Sequence, residues 1–261
     1  MASQQAGTFS RIAVDVRSPI ARIALQNPPL NVMDRLMLEE LASAVAAIEG
    51  RTEISTLVLS GAGKAFSVGV DVADHTADRI AEMLANFHAV VRAMVNTRKV
   101  TIAAVHGHCL GGGAELAMVC DLVYTAEGAT WGFPEIRLAC YPPVAVTALA
   151  ALVGQKRAAD LILTGRSISG QEAANIGLAN RAVPGGEVES AVEESLRQLA
   201  ALSPAALAVT KKAIYVWDAM HFDKGLARAE KIYLDELMKT EDVHEGISAF
   251  LERRTVVWKG K

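Results

Sequence analysis

Apolar positions along this chain fall into two alternating rhythms, and the alternation predicts its architecture. Residues 11–16, Arg-Ile-Ala-Val-Asp-Val, alternate polar and apolar side chains; Arg17-Ser18-Pro19 then turns into a second run, Ile20 to Leu25, as a β-hairpin would. After the loop Asn27-Pro28-Pro29-Leu30-Asn31, Leu38, Leu41, Val45 and Ile48 recur at helical spacing behind Asp34, a residue type that caps helices. Thr56 to Leu59 reads as a strand ending at Gly61-Ala62-Gly63. The loop through Phe66 and Asp71 leads into a helix at about 77–96, with Ile80, Leu84, Phe87, Val91 and Val95 inward. Val100 to Val105, apolar apart from Thr101, reads as a buried strand. A glycine turn, an apolar helix from Ala114 to Cys120 and a strand from Asp121 to Thr125 follow. Strands alternating with helices through short connections predict an α/β fold with right-handed crossovers.

Beyond Gly132-Phe133-Pro134-Glu135 the pattern changes. Short helices are expected at Val144–Val153 and Lys156–Leu163, another after Gly165–Gly170 at about 171–176, and helix throughout from Glu187. Ser203 as cap with Pro204 behind it starts a helix through Trp217, followed by helices at about 223–239 and 241–252. The chain thus divides into a core domain over 1–200 and a helical region over 201–261. The second is too short for its own core and is expected to dock on the domain, on a neighbouring subunit, or both.

Chemistry concentrates in Val105 to Asp121. Gly111-Gly112-Gly113 lets the backbone turn sharply after a buried strand, and a helix N-terminus with free N–H groups favours negative charge. Into its first turn falls Glu115, whose neighbours one turn away are Gly111, Gly112, Met118 and Val119. A carboxylate on an all-apolar helix needs a partner or a task. Glu135, in the apolar stretch Trp131 to Ile136, is the second candidate carboxylate, although alone it reads equally as a helix-start glutamate. Ser67-Val68-Gly69-Val70 is a second glycine turn after a strand. Its Val70 N–H and that of Gly112 are a candidate pair of donors for one oxygen.

Other chemistries fit poorly. Gly111-Leu116 departs from the dinucleotide fingerprint, Gly63-Lys64-Ala65 from the phosphate loop, and no G-x-S-x-G elbow exists. His106 and His108 alternate faces, and Cys109, Cys120 and Cys140 show neither ligand nor disulfide spacing, so no metal is expected and a reducing compartment is. At 261 residues, 51% hydrophobic, with net charge −3, the chain carries no electrostatic footprint for nucleic acid. The polar N-terminus lacks a signal core, and the longest uncharged run, Leu138 to Gln155, is broken by Pro142 and Pro143. A cytoplasmic protein without membrane partners is expected.

Three stretches in this order, Ala65-Phe66-Ser67-Val68-Gly69-Val70-Asp71, then Gly111-Gly112-Gly113-Ala114-Glu115-Leu116-Ala117 with Cys120-Asp121, then Phe133-Pro134-Glu135-Ile136, resemble the crotonase superfamily of enoyl-CoA hydratases and isomerases. Leu163-Thr164-Gly165, Ala173 to Ala179 and Phe250-Leu251-Glu252-Arg253-Arg254 add to the likeness, which spans about 11–255. The resemblance implies a spiral of ββα units with a C-terminal α-helical trimerisation region, and a homotrimer or dimer of trimers. It implies an acyl-CoA thioester substrate whose carbonyl oxygen accepts from the Val70 and Gly112 amides, with no cofactor beyond the CoA of the substrate.

Glu115 is then the expected water-activating base and Glu135 the expected proton donor to the α-carbon. Asn31, Val32, Val68, Asp71, Val72, Gly111, Tyr141 and Pro142 are expected to line the substrate, with Asn27–Val32 and Asp71-Val72 near the adenine and Lys211, Lys212, Arg253 and Arg254 as candidates for phosphates. Hydratases of the family carry glutamates at both acidic positions, as here; an isomerase, and a non-catalytic acyl-CoA-binding member, are the alternatives. Cys140-Tyr141-Pro142-Pro143 replaces a Pro-Gly-rich turn with stiffer residues. In this it resembles the branch that hydrates cyclohexadienecarbonyl-CoA thioesters, with a general short-chain enoyl-CoA hydratase as the alternative.

Overall fold

The computed structural model describes residues 9–261 except the side chains of 216–220; the polar stretch from Met1 lies, up to residue 8, outside the described residues. The hairpin predicted from alternation is present, with β1 (Ile12–Arg17) antiparallel to β2 (Ile20–Leu25). Helix α1 (Arg35–Glu49) is capped by Asp34, whose side chain accepts from the Met37 N–H at 2.9 Å. Then come β3 (Thr56–Gly61), β4 (Ala65–Ser67), α2 (Ile80–Asn96), β5 (Val100–Val105), β6 (His108–Leu110), α3 (Gly112–Met118), β7 (Leu122–Ala126), β8 (Thr130–Gly132), α4 (Pro143–Val153), α5 (Gln155–Thr164), β9 (Ser167–Ser169), α6 (Gly170–Asn175), β10 (Arg181–Val183) and α7 (Val188–Ala200).

The order carries a repeat: a long strand, a short strand and a helix, three times over (β3-β4-α2, β5-β6-α3, β7-β8-α4). Long strands join one sheet in the order β1-β2-β3-β5-β7-β10, parallel from β2 onward; short strands join a second in the order β4-β6-β8-β9. Each turn of the chain thus advances both sheets by one strand, a ββα spiral. The second sheet was not legible in the hydrophobic pattern. Its strands are three residues long, within the range of an ordinary loop, and are specified by pairing such as Cys109 with Trp131 rather than by alternation.

The C-terminal region corrects one expectation. Helix α8 runs unbroken from Pro204 to Asp235, where two helices were expected either side of Trp217. Between Pro204 and Gly225 the sequence has no proline or glycine to stop it. Gly225 is accommodated because it packs on α4: a Cβ there would meet Thr147 Cγ2 at 2.7 Å. Ser203 caps α8, and Thr240 caps α9 (Glu241–Leu251). Both helices return to the body of the molecule, α8 against α4 and α2, α9 against the 3₁₀ turn Pro134–Leu138. No helix among the described residues is long and apolar enough to cross a membrane.

Candidate active site

Two glycine turns meet at the centre of the molecule. Gly69 follows β4 with φ +98°, and Gly111 precedes α3 with φ +54° and ψ −130°, both conformations that a side chain opposes. A Cβ on Gly69 would lie 3.0 Å from the Gly112 nitrogen and 3.1 Å from the Leu110 carbonyl, so the two turns are in direct contact. The strand-like bridge between Met33 and Val70 uses the N–H of Met33 and of Asp71, leaving the Val70 N–H without a protein acceptor among the described residues. The Gly112 N–H, first in α3, likewise has none.

Glu115 and Glu135 converge on the same turn. Glu115 is 2% exposed on α3, its N–H donating to the Gly111 carbonyl at 2.9 Å. Glu135 reaches the same glycine from Pro134–Leu138: a Cβ on Gly111 would stand 2.7 Å from Glu135 Oε1. Burial raises both carboxyl groups well above the usual carboxylate range, and the charge of Glu115 raises Glu135 further. They differ in partners. Glu115 Oε1 accepts from the Ala145 N–H at 2.8 Å, in the first turn of α4, an interaction that favours its charged form. Glu135 Oε2 is buried with no partner among the described residues. The proton the pair retains therefore prefers Glu135.

Pro142 and Pro143 explain how α4 reaches Glu115. Proline suits the start of a helix, where it surrenders no intrahelical bond, and the next N–H groups remain free to meet the carboxylate. The stiff segment read as a pocket wall is thus also a clamp on Glu115, a role that spacing alone did not reveal. Pro142 is buried; Tyr141 is half-buried, its hydroxyl donating to the Ala229 carbonyl of α8 at 2.6 Å.

The remaining expected lining residues divide. Val32, Val68 and Val72 are half-buried near the Gly69 turn; the Val32 carbonyl accepts from Asn27 Nδ2 at 2.8 Å, and the Val68 N–H donates to the Leu30 carbonyl at 3.2 Å. The Asp71 carboxylate accepts from the Ala73 N–H at 3.0 Å and so caps the following 3₁₀ turn. Asn31 is engaged by the protein itself. It is fully buried, its Nδ2 donates to the Ala62 and Ala65 carbonyls at 2.9 and 2.8 Å, and its carbonyl accepts from Ser67 Oγ at 2.7 Å. Through these bonds Asn31 fastens the loop to β4.

Lys211 is likewise engaged. Its ammonium is buried, 2.8 Å from Asp121 Oδ2 and 2.9 Å from the Lys99 carbonyl, so it ties α8 to the residues just before β7 and β5 instead of facing a phosphate. Arg254 is engaged by both carboxylate oxygens of Glu245, at 2.6 and 2.8 Å, and by Glu252. Lys212 and Arg253 are exposed. All three cysteines are buried free thiols. A cavity of about 770 Å³ lies among Met118, Tyr141, Leu152, Phe222 and Arg228; it borders the site at Tyr141, and neither glutamate lines it.

Spiral and site together define a class of protein in which two N–H groups without protein acceptors lie beside a pair of buried carboxyl groups. Residues 15–261 match the family model described as enoyl-CoA hydratase/isomerase, and the chain belongs to that family. It is 34% identical over 242 residues, 93% of each chain, to the cyclohexa-1,5-dienecarbonyl-CoA hydratase of Thauera aromatica. It is 32% identical to the 2,3-dehydroadipyl-CoA hydratase of Escherichia coli K12, covering 97% of this chain and 100% of that one. Among solved structures, an enoyl-CoA hydratase/isomerase from Xanthobacter autotrophicus Py2 superposes with a TM-score of 0.86 at 30% identity over 94% of each chain. An enoyl-CoA hydratase from Mycobacterium avium subsp. paratuberculosis gives 0.87 at 26% identity, covering 97% of this chain and 100% of that one.

Proposed function

We propose that the protein is an enoyl-CoA hydratase, a hydro-lyase adding water across the conjugated double bond of an acyl-CoA thioester. The observation that carries this reading is the buried pair Glu115 and Glu135 at the Gly111 turn. Water addition needs a base for the water and an acid for the α-carbon at once, and two carboxyls sharing one proton supply both. Glu115, stabilised as an anion by the N-terminus of α4, takes the proton of the attacking water. Glu135 delivers its proton to the α-carbon. Between these events negative charge rests on the thioester oxygen, where the Val70 and Gly112 N–H groups receive it; such a donor contributes about 10²–10³ in rate. Protein groups and water complete the cycle, so no metal or cofactor enters it.

For the acyl group, the stiff Tyr141-Pro142-Pro143 wall and the similarity to a cyclic-dienoyl hydratase support a cyclic dienoyl-CoA thioester. Similarity at comparable identity to the 2,3-dehydroadipyl-CoA hydratase makes crotonyl-CoA the necessary comparison substrate. For assembly, the apolar Val209 and Ile214 on α8 and Phe250 and Leu251 at the end of α9, all about half exposed or more, support a homotrimer or dimer of trimers. Loss of the conjugated-thioester absorbance with each substrate, and light-scattering mass of the pure protein, test the two halves. A protein that binds both thioesters and turns over neither would overturn the hydratase assignment.

A further inference from the structure

Helix α8 brings one more polar group to the carboxylate pair. Leu226, Ala229 and Tyr233, spaced three and four residues apart, form its buried stripe. Tyr233 is 1% exposed, and its ring packs edge-to-face on Tyr141 with centroids 5.1 Å apart. Tyr141 in turn is tied to Ala229 on the same helix. Glu230 fixes the helix on another side, accepting from Arg92 of α2 at 2.9 Å and meeting His88 Nδ1 at 2.6 Å. The phenol ring is therefore held on several sides.

Its hydroxyl has no partner of full hydrogen-bond geometry among the described residues. The Cys140 thiol is close enough to interact with it, a weak partner whose own bond of good geometry goes to the Leu138 carbonyl at 3.5 Å. A buried hydroxyl without a partner costs about 1–3 kcal/mol, and phenylalanine would fill nearly the same volume without that cost. The backbone joins this region to the catalytic pair, since the Cys140 N–H donates to the Glu135 carbonyl at 3.0 Å. Glu135 Oε2 is the second unpartnered buried atom of the region, and the charge of Glu135 is felt at both Cys140 and Tyr233. With the thioester carbonyl assigned to the two amides, an unsubstituted enoyl group offers a phenol one other oxygen: the one that water adds.

We propose that Tyr233 is a substrate-contacting residue whose hydroxyl hydrogen-bonds the oxygen that hydration places on the β-carbon of the acyl group. The inference rests on the hydratase reading above. Tyr233 thereby separates hydrated from unhydrated acyl groups that otherwise fill the same pocket, because only the former satisfies its hydroxyl.

The test compares wild type, Tyr233→Phe and Cys140→Ala by calorimetric titration with 3-hydroxybutanoyl-CoA and butanoyl-CoA, after hydration of crotonyl-CoA has been measured. If only a cyclic dienoyl-CoA is turned over, its hydrated product and cyclohexanecarbonyl-CoA take their places. Tyr233→Phe is expected to bind the hydroxylated ligand about tenfold more weakly while the saturated ligand changes less than about twofold. Cys140→Ala is expected to leave the ratio of the two affinities as in wild type. Equal weakening of both ligands, or no change in either, in a wild type that hydrates, overturns the role of Tyr233 and leaves the hydratase reading standing. A wild type that hydrates neither substrate overturns both.

Discussion

Oε1 of Glu135 lies 2.7 Å from the position a Cβ on Gly111 would take, so the carboxylate occupies the space that any larger residue at 111 would need. Gly111→Ala therefore displaces the acid group directly, and also forces alanine into a backbone conformation (φ +54°, ψ −130°) that is nearly reserved for glycine. The expected result is a fall in kcat of about 10²-fold or more with a stability loss of about 1–3 kcal/mol. Steady-state kinetics and urea unfolding of the same preparation check the two effects; a variant with wild-type kcat would show that Glu135 does not act from this position.

Gly69→Ala probes the opposing turn. Its Cβ would press on the Gly112 nitrogen at 3.0 Å and on the Leu110 carbonyl at 3.1 Å, at a residue with φ +98°. Separating the Val70 and Gly112 donors is expected to lower kcat by about 10²–10³-fold. Affinity for a saturated acyl-CoA, which develops no enolate charge, is expected to change far less. Equal losses in both would mean that the turn only shapes the pocket.

The site is built at some cost to stability, with a definite pH sign. Carboxyl groups whose folded pKa is raised above the unfolded value hold a proton that the unfolded chain has released, so stability falls as pH rises from about 4.5 through the folded pKa. Glu135→Gln, neutral at every pH, is then expected to exceed wild type in unfolding free energy at pH 8 by at least about 1 kcal/mol, and to lose that advantage by about pH 5. Denaturant unfolding at the two pH values decides this, and a gap that is the same at both would contradict the assigned direction.

Lys211 separates a structural cation from a phosphate contact. Replacing it by methionine strands Asp121, whose Oδ2 would keep only the Thr101 N–H and hydroxyl at 2.7 and 3.0 Å. Loss of one partner from a buried pair is expected to cost about 3 kcal/mol or more. CoA affinity of the folded variant is expected to match wild type. A selective loss of CoA binding without loss of stability would restore the phosphate role.

How much of this was legible beforehand follows from what each feature depends on. The hairpin, α1 with its Asp34 cap, and the buried strand β5 announce themselves locally, because alternation, capping and continuous hydrophobicity are properties of neighbouring residues. Glu115 stood out as a carboxylate without polar company. The engagement of Asn31 and Lys211 is not legible locally, because their partners, the carbonyls of Ala62 and Ala65 and the carboxylate of Asp121, are 31, 34 and 90 positions away, and an isolated polar residue does not reveal whether it is already satisfied. Tyr233 went unnoticed for a related reason. Its stripe with Leu226 and Ala229 is readable, yet what that stripe packs against depends on how α8 lies on α4.

The central claim is that Glu115 and Glu135 together add water to an acyl-CoA thioester. Turnover of crotonyl-CoA and of a cyclic dienoyl-CoA in ¹⁸O-labelled water, followed by mass spectrometry of the product, tests it most directly. The account predicts one labelled oxygen per product molecule from wild type, and a rate lowered by about 10²–10⁴-fold in Glu115→Gln and in Glu135→Gln. Migration of the double bond without label, or labelled product formed at the wild-type rate after both glutamates are replaced, would contradict it.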